Sequence, residues 1–438
     1  MRQHDLIAAF LLVMPALGCP SDGEETDDGA SETSGTTSST GASTTSTSSS
    51  TSGASTTTGD TDTETSDTDT AETGMPETES ESETGEPANC IDATLWAGNP
   101  YFDGDFEGWD PAGHPLSADP PLRSRQLVAL GDRVAINTQP EIWIADDVEA
   151  VRIAGDETDP NDRYEPSGPC ADTRFIMIEG LAALPNGNVV VADVWGNGLV
   201  ELSDPTGTCM AAPIAGNAMP VEFGGLQEAA NAGDVDGPGV DARFNGVEMP
   251  IADADGNIYV HDLNNHKIKR VGNDAARTVT TLAQLPDGLL PFAMTELDGT
   301  IYVVGSTGTY DFMMTVDATT PGEPNVLFQE NGHFDEFDTS VQAVLSGIST
   351  DGTDLLVVSA KGYLWRVSTT GEPLATVAGV GDLVDFPELD LTQPVALDEL
   401  PLNSYTLARQ ILSPRNGDFL FAGSDGGIGY HVWSINCG

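Results

Sequence analysis

The sequence predicts an all-β fold in which six repeated antiparallel sheets close into a ring, the last completed by a strand from the N-terminal end, with a disordered linker in front. Three observations carry that expectation. A strand, a Gly-containing turn and a β-branched strand recur six times. A strand ending in Ala-Gly closes several of these units and occurs once more ahead of the first. Before that strand lie about 70 residues made almost wholly of Ser, Thr, Gly, Asp and Glu, too polar to bury the surface that would offset their chain entropy.

The chain begins MRQHDLIAAFLLVMPALGC. Arg2 supplies a charged start, weakened by Asp5. Leu6 to Met14 is an apolar run of nine residues, too short to cross a bilayer core of about 30 Å. Ala16-Leu17-Gly18-Cys19 resembles the bacterial lipobox, with Ala16 where Leu is commonest. The resemblance implies that residues 1–18 are a lipoprotein signal peptide and that Cys19 becomes the acylated lipid anchor, which makes a membrane one partner. Two or more acyl chains, at about 0.8 kcal/mol per buried CH₂, hold firmly.

Residues 19–89 then read as an acidic Ser/Thr-rich tether with 17 Asp and Glu and no Lys or Arg. As a random coil of roughly 5–6 Å × √n its typical reach is about 45–50 Å. The whole chain carries a net charge of −54, so most of the acid lies in residues 90–438. A nucleic-acid partner is excluded, because phosphates need a Lys/Arg footprint and this field repels them.

Within residues 90–438 the clearest unit is GDVDGPGVDARFNGVEMPIADADGNIYVHDLNNHKIKRV, from Gly233 to Val271. A second copy runs from Gly168 to Leu202. Asn186-Gly187-Asn188 matches Asp255-Gly256-Asn257, and Val189 to Asp193 matches Ile258 to Asp262. Asn197 is set against Asn265, and Ala171 with Phe175 against Ala242 with Phe244, with one shift. Asn-Gly or Asp-Gly between apolar runs is the strongest short-range hairpin signal. Weaker copies turn at Gly131, Gly299, Gly352 and Gly417, and the six turn glycines stand 56, 69, 43, 53 and 65 residues apart. The shortest spacing fits one sheet of about 40–45 residues, and the longer ones imply insertions.

Fourth strands end in Ile153-Ala154-Gly155, Ile214-Ala215-Gly216 and Val377-Ala378-Gly379. The same ending, Trp96-Ala97-Gly98, precedes the first unit, while the last unit stops after its third strand, His431 to Asn436. Residues 91–97 are therefore expected to complete the sixth sheet, which removes the free edges of an open array. This closure places Cys90 beside Cys437. With Cys19 acylated, four cysteines remain in an exported chain, and the expected disulfides are Cys90–Cys437 and Cys170–Cys209. No Cys-x-x-Cys pair occurs, which excludes zinc-ribbon and thioredoxin-like sites.

These units resemble the NHL repeat family, and Asn265-His266-Lys267 keeps the first two letters of its Asn-His-Leu turn. The resemblance covers residues 90–438 and implies a six-bladed β-propeller with a central channel. Relatives include binding modules, lyases and hydrolases, and fold does not choose among them.

The chain holds no Gly-x-Ser-x-Gly, His-Glu-x-x-His or Walker motif. His261, next to the end of its strand, is a metal candidate, since strand ends surround the channel mouth. Asp253 and Asp255 in Asp253-Ala254-Asp255-Gly256-Asn257, like the run Gly233 to Gly237, look like fragments of calcium loops. A calcium ion needs six to eight oxygens, and Asp and Asn at turns more often bond their own backbone. Calcium, or another divalent cation, is the cofactor these residues would take. Trp109, Trp195 and Tyr310 are candidate loop aromatics for recognition. The leading expectation is a lipid-anchored binding or scaffold protein of the bacterial cell envelope or surface, with a protein or carbohydrate ligand. The alternative is a metal-dependent hydrolase or lyase of the six-bladed class.

Overall fold

The computed structural model describes residues 90–437 apart from 99–113, 117–125, 139, 156–162, 217–220, 223–231, 331, 335–343, 380–391, 401, 403–411, 416–417 and 426–427. Residues 1–89, expected to be a signal peptide and tether, with Cys19, and Trp109 lie outside the described residues. So does the sixth turn, Asn416-Gly417.

The described residues are nearly all strand, and they form six antiparallel blades. From inner to outer strand, blade 1 comprises Gln126–Leu130, Arg133–Asn137, Ile142–Ala145 and Glu149–Ala154. Blade 2 comprises Ile178–Ala183, Val189–Asp193, Gly198–Ser203 and Met210–Gly216. Blade 3 comprises Val247–Ala252, Ile258–Asp262, Lys267–Val271 and Val279–Gln284. Blade 4 comprises Leu290–Leu297, Thr300–Ser306, Asp311–Asp317 and Asn325–Glu330. Blade 5 comprises Leu345–Thr350, Leu355–Ser359, Leu364–Val367 and Pro373–Ala378. Blade 6 comprises Leu412–Arg415, Asp418–Asp425, Ile428–Cys437 and, as its outer strand, Cys90–Gly98. Each inner strand touches the inner strands of its two neighbours, so they ring a central channel.

The hairpin turns have the conformation their glycines permit. Gly131, Gly187, Gly256, Gly299 and Gly352 all take positive φ, between 66° and 92°. The second strands read as continuous apolar runs because both faces are covered. In blade 2, Val189 and Val191 face a core shared with blade 1, while Val190 and Ala192 face one shared with blade 3. In blade 3, Ile258 and Val260 face blade 2 and Tyr259 faces blade 4. Trp143, Tyr259 and Trp365 are each at most 1 % exposed. Among the described residues there is one such apolar core between every adjacent pair of blades.

The ring closes as the Ala-Gly ending suggested. Cys90–Gly98 pairs antiparallel with Ile428–Cys437, from Cys90 opposite Cys437 to Gly98 opposite His431. Leu127, Val134 and Trp143 of blade 1 pack with Ala97, Leu420 and Val432 of blade 6. Both disulfides are formed, Cys90–Cys437 and Cys170–Cys209.

The Ala-Gly ending has a steric cause. Gly155, Gly216 and Gly379 have φ of 80°, 79° and 106°. A Cβ on each would stand 2.0–2.3 Å from a carbonyl oxygen of the loop between the second and third strands, at Pro140, Asn197 and Gly362 respectively. Ala154, Ala215 and Ala378 before them are at most 2 % exposed. Gly216→Ala is therefore expected to cost about 2–4 kcal/mol, from left-handed strain plus overpacking against backbone. A urea unfolding midpoint unchanged from the parent would contradict this account.

The uneven spacing of the turns also has a cause. In four blades the segment ahead of the inner strand reaches out and pairs with that blade's own outer strand. His114–Pro115 does so in blade 1, Gly168–Pro169 in blade 2 and Val395–Ala396 in blade 6, and Gly237 makes a single bridge to Val279 in blade 3. These arms fix the alignment of the two best units without any shift. Gly168-Pro169 matches Gly237-Pro238, and Thr173-Arg174-Phe175 matches Ala242-Arg243-Phe244, so Ala171 stands against Val240 rather than Ala242. Each arginine donates to the carbonyl of the residue before it, and each phenylalanine plugs the core to the preceding blade.

Candidate functional site

Inner strands begin, and second strands finish, at one end of the channel. Asp193 and Asp262 are the last residues of their second strands and both are fully buried. The Asp193 carboxylate accepts the backbone N–H of Ile176 at 2.7 Å, Gly196 at 2.8 Å and Met177 at 3.2 Å. Burial pushes its carboxyl above the ordinary range, against the pull of these donors. Asp262 accepts the N–H of Asn245 at 2.7 Å and the Asn265 amide at 2.8 Å. Both carboxylates therefore pin the segment entering the inner strand.

The two loops between second and third strands are of equal length, and their register differs from the sequence alignment. Gly198 opposes Asp193 as Lys267 opposes Asp262, so Asn197 corresponds to His266, not Asn265. Both are left-handed, at φ 53° and 52°. Asn197 uses its Oδ1 to accept the Gly246 N–H at 2.7 Å, joining blade 2 to blade 3.

The acidic run Gly233 to Gly237 surrounds a cation supplied by the chain. Lys269 is fully buried, and its Nζ lies 2.8 Å from Asp234, 3.2 Å from Asp262 and 3.4 Å from Asp236. Phe244 lies beneath it, 5.6 Å from ammonium to ring centre. Burial works against the charge on Lys269, but the carboxylates of Asp234 and Asp262 outweigh it and hold its pKa above the ordinary value. Likewise partial burial would raise Asp234, yet Lys267 and Lys269 bring it below.

Asp253 and Asp255 sit in the hairpin turn at the other end of the Ile258–Asp262 strand. The Asp253 carboxylate accepts the N–H of Asp255 and of Asn257, the Asn257 amide at 2.7 Å and the Tyr259 hydroxyl at 2.8 Å. These donors overcome partial burial and lower its carboxyl. Asp255 lines a groove of about 500 Å³ with Asn257, Arg270, Asn273, Asp274 and Thr278. His261 is buried and its Nδ1 meets Glu248 Oε1 of the inner strand at 2.8 Å, while its Nε2 has no hydrogen-bond partner. The structure thus places His261 and the Asp253–Asp255 pair at opposite ends of one strand. Among the described residues no three His, Cys, Asp or Glu side chains form a group that could hold a metal ion. Tyr310 is 44 % exposed in the loop after the second strand of blade 4, and Trp195 is half-buried in the corresponding loop of blade 2.

Sequence reasoning missed Lys269 and Glu248. It also missed His431, 1 % exposed in the third strand of blade 6, where burial pushes its pKa down to about 4. The unfolded chain takes up a proton near pH 6.5 that the folded chain refuses. Stability is therefore expected to fall as the pH drops from about 6.5 to 4, by up to about 3 kcal/mol. Urea titrations at pH 7.5 and 4.5 check this, and His431→Gln should lose that part of the pH dependence.

This is a six-bladed β-propeller. No protein-family model and no curated protein sequence matches the chain. Its likeness is to solved structures. A structural-genomics protein of unknown function from Bacteroides thetaiotaomicron is 13% identical, at TM-score 0.50, covering 79% of this chain and 76% of that one. An auxiliary nutrient binding protein from the same organism is 11% identical, also at TM-score 0.50, with the same coverage. A streptogramin B lyase is 14% identical at TM-score 0.43, covering 81% of this chain and all of its own, 100%. At such identities the likeness is one of fold.

Proposed function

We propose that the chain is an exported, lipid-anchored surface protein whose propeller is a binding or scaffold module for a protein or carbohydrate ligand. On this reading residues 1–18 are a lipoprotein signal peptide, 19–89 a tether and 90–438 a propeller of NHL-like repeats. The bacterial envelope or cell surface is its place. On this reading the Cys19 lipid carries the attachment; among the described residues no helix is long and apolar enough to cross a membrane.

One observation carries the binding reading. The side chains best suited to chemistry are engaged in holding the ring together. The Lys269 ammonium is held by three aspartates, Asp193 and Asp262 fasten the inner-strand entries, and Asp253 closes its own turn. The fold shared with an auxiliary nutrient binding protein agrees with this reading.

Two measurements test it. Cys19→Ala should abolish palmitate labelling and move the protein from the membrane to the soluble fraction; a variant still labelled and still sedimenting would remove the anchor. Elemental analysis of the purified protein, with a thermal melt before and after chelator, should find no stoichiometric metal and no shift. A bound metal whose removal lowers the Tm would favour the hydrolase or lyase reading and make His261 the first residue to vary.

A further inference from the structure

The outer strands of the six blades are not treated alike. Blades 1, 2, 3 and 6 cover their outer edges with their own arms. In three of these the arm ends in or is followed at once by proline, at Pro115, Pro169 and Pro238. Proline has no N–H, so pairing stops there and the sheet offers no continuing edge.

Among the described residues no arm pairs with the outer strands of blades 4 and 5, and at blade 5 the turn Leu397–Glu399 lies near Pro373–Ala378 without pairing as a strand. Only five residues separate Gln284 from Leu290, too few to reach the outer strand of blade 4. In blade 5, Phe334 fills the core to the preceding blade, as Phe175 and Phe244 do in theirs, but only three residues stand between Glu330 and Phe334. Among the described residues no strand pairs with the outer side of Asn325–Glu330 or of Pro373–Ala378. Gly379, just beyond the second, donates to the Leu397 carbonyl at 2.8 Å.

These two edges adjoin. A Cβ on Gly371, in the turn leading to Pro373–Ala378, would lie 3.2 Å from Leu327 Cβ of the blade 4 edge. His333 Nε2 meets the Gly371 carbonyl at 2.7 Å across the same seam. The edges expose Val326 by 43 % and Leu374 by 49 %. Neither strand contains Lys or Arg, and Glu323, Glu330 and Glu372 stand exposed around them.

We propose that the paired outer edges of blades 4 and 5 are a docking surface for an extended, neutral-to-basic peptide segment of a partner protein. The segment adds itself as a fifth strand, in the position the chain's own arms occupy in the other blades. Main-chain hydrogen bonds supply affinity, and alternate apolar side chains cover Val326 and Leu374. Charge decides between occupants. The tether, with 17 acidic residues and no basic ones, and a second copy of this −54 chain both meet repulsion at the three glutamates, whereas a basic strand meets attraction. The proposal rests on the binding-module reading and adds the surface and the chemistry of the partner.

A phage-displayed library of random 12-residue peptides, selected on the immobilised mature protein, tests it. Enriched peptides should carry net positive charge and alternating apolar residues, and they should slow amide hydrogen exchange in 325–330 or 373–378. The double variant Val326→Glu, Leu374→Glu should keep the parent Tm and weaken those peptides at least tenfold. No enrichment, protection elsewhere, or equal binding to the variant would overturn the proposal. So would a concentration-dependent dimer protecting the same amides. A carbohydrate ligand bound by a protein that enriches no peptide would remove this surface while leaving the binding-module reading in place.

Discussion

Replacing Lys269 by methionine is expected to lower the unfolding free energy by about 3–5 kcal/mol, the usual cost of removing one partner from a buried ion pair. Methionine keeps most of the stem's volume, so the packing on Phe244 changes little. What is lost is the charge. Asp234 and Asp236 are 40 % and 41 % exposed and water reaches them, but Asp262 is fully buried and keeps only hydrogen-bond donors. Most of the cost should therefore fall on Asp262. Adding Asp262→Asn to Lys269→Met should restore part of the loss, and the double-mutant cycle should show a coupling well above 1 kcal/mol. Equal urea midpoints for the parent and the single variant would show that the cluster contributes nothing.

The same cluster sets two limits on pH. Lys269 has a raised folded pKa, so its contribution is complete below about 10.5 and is lost as pH rises through the higher folded value. Asp234 has a lowered one, so its contribution is complete above about 3.8 and is lost as pH falls through the lower folded value. Neither the Lys269 nor the Asp234 contribution changes between these limits, and the decline expected from pH 6.5 to 4 is that of His431.

The framework of this fold was legible because it is written in local signals. Val189–Asp193 and Ile258–Asp262 are the strands expected from a turn glycine followed by β-branched residues, with the same bounds. Ring closure was legible because Trp96-Ala97-Gly98 repeats an ending whose glycine is sterically required. The outer arms were not, because a two-residue strand such as His114–Pro115 carries no periodicity; only the His-Pro and Gly-Pro dipeptides mark it. The candidate site was less legible still. An acidic run around an ion has the same composition whether the ion is a metal or an ammonium group, and the lysine lies 35 residues after Asp234. The run Gly233 to Gly237 pointed to calcium, and nothing local revealed that the nearby cation is Lys269.

Breaking the Cys90–Cys437 disulfide is expected to destabilise the ring more than breaking Cys170–Cys209. The first closes a loop of 347 residues and the second one of 39. In the chain-entropy model the longer loop contributes about 6 kcal/mol and the shorter about 4 kcal/mol. The ring also has non-covalent closure. Beyond the paired strands, Asp92 accepts from the Asn436 amide at 2.5 Å. Asp147 of blade 1 accepts from Trp96 at 3.0 Å and from Arg415 at 2.7 Å, both in blade 6. Cys90→Ser with Cys437→Ser should therefore leave a folded propeller with a lower urea midpoint. Its hydrogen exchange should accelerate first in 90–98 and 428–437, where opening frees the outer strand of blade 6. Asp147→Ala added to that pair should speed the same amides further, while in the disulfide-bonded protein it should have little effect. Exchange that rises uniformly over all six blades would mean that the strand and its disulfide only constrain the unfolded chain, and that the closed ring does not open at its seam.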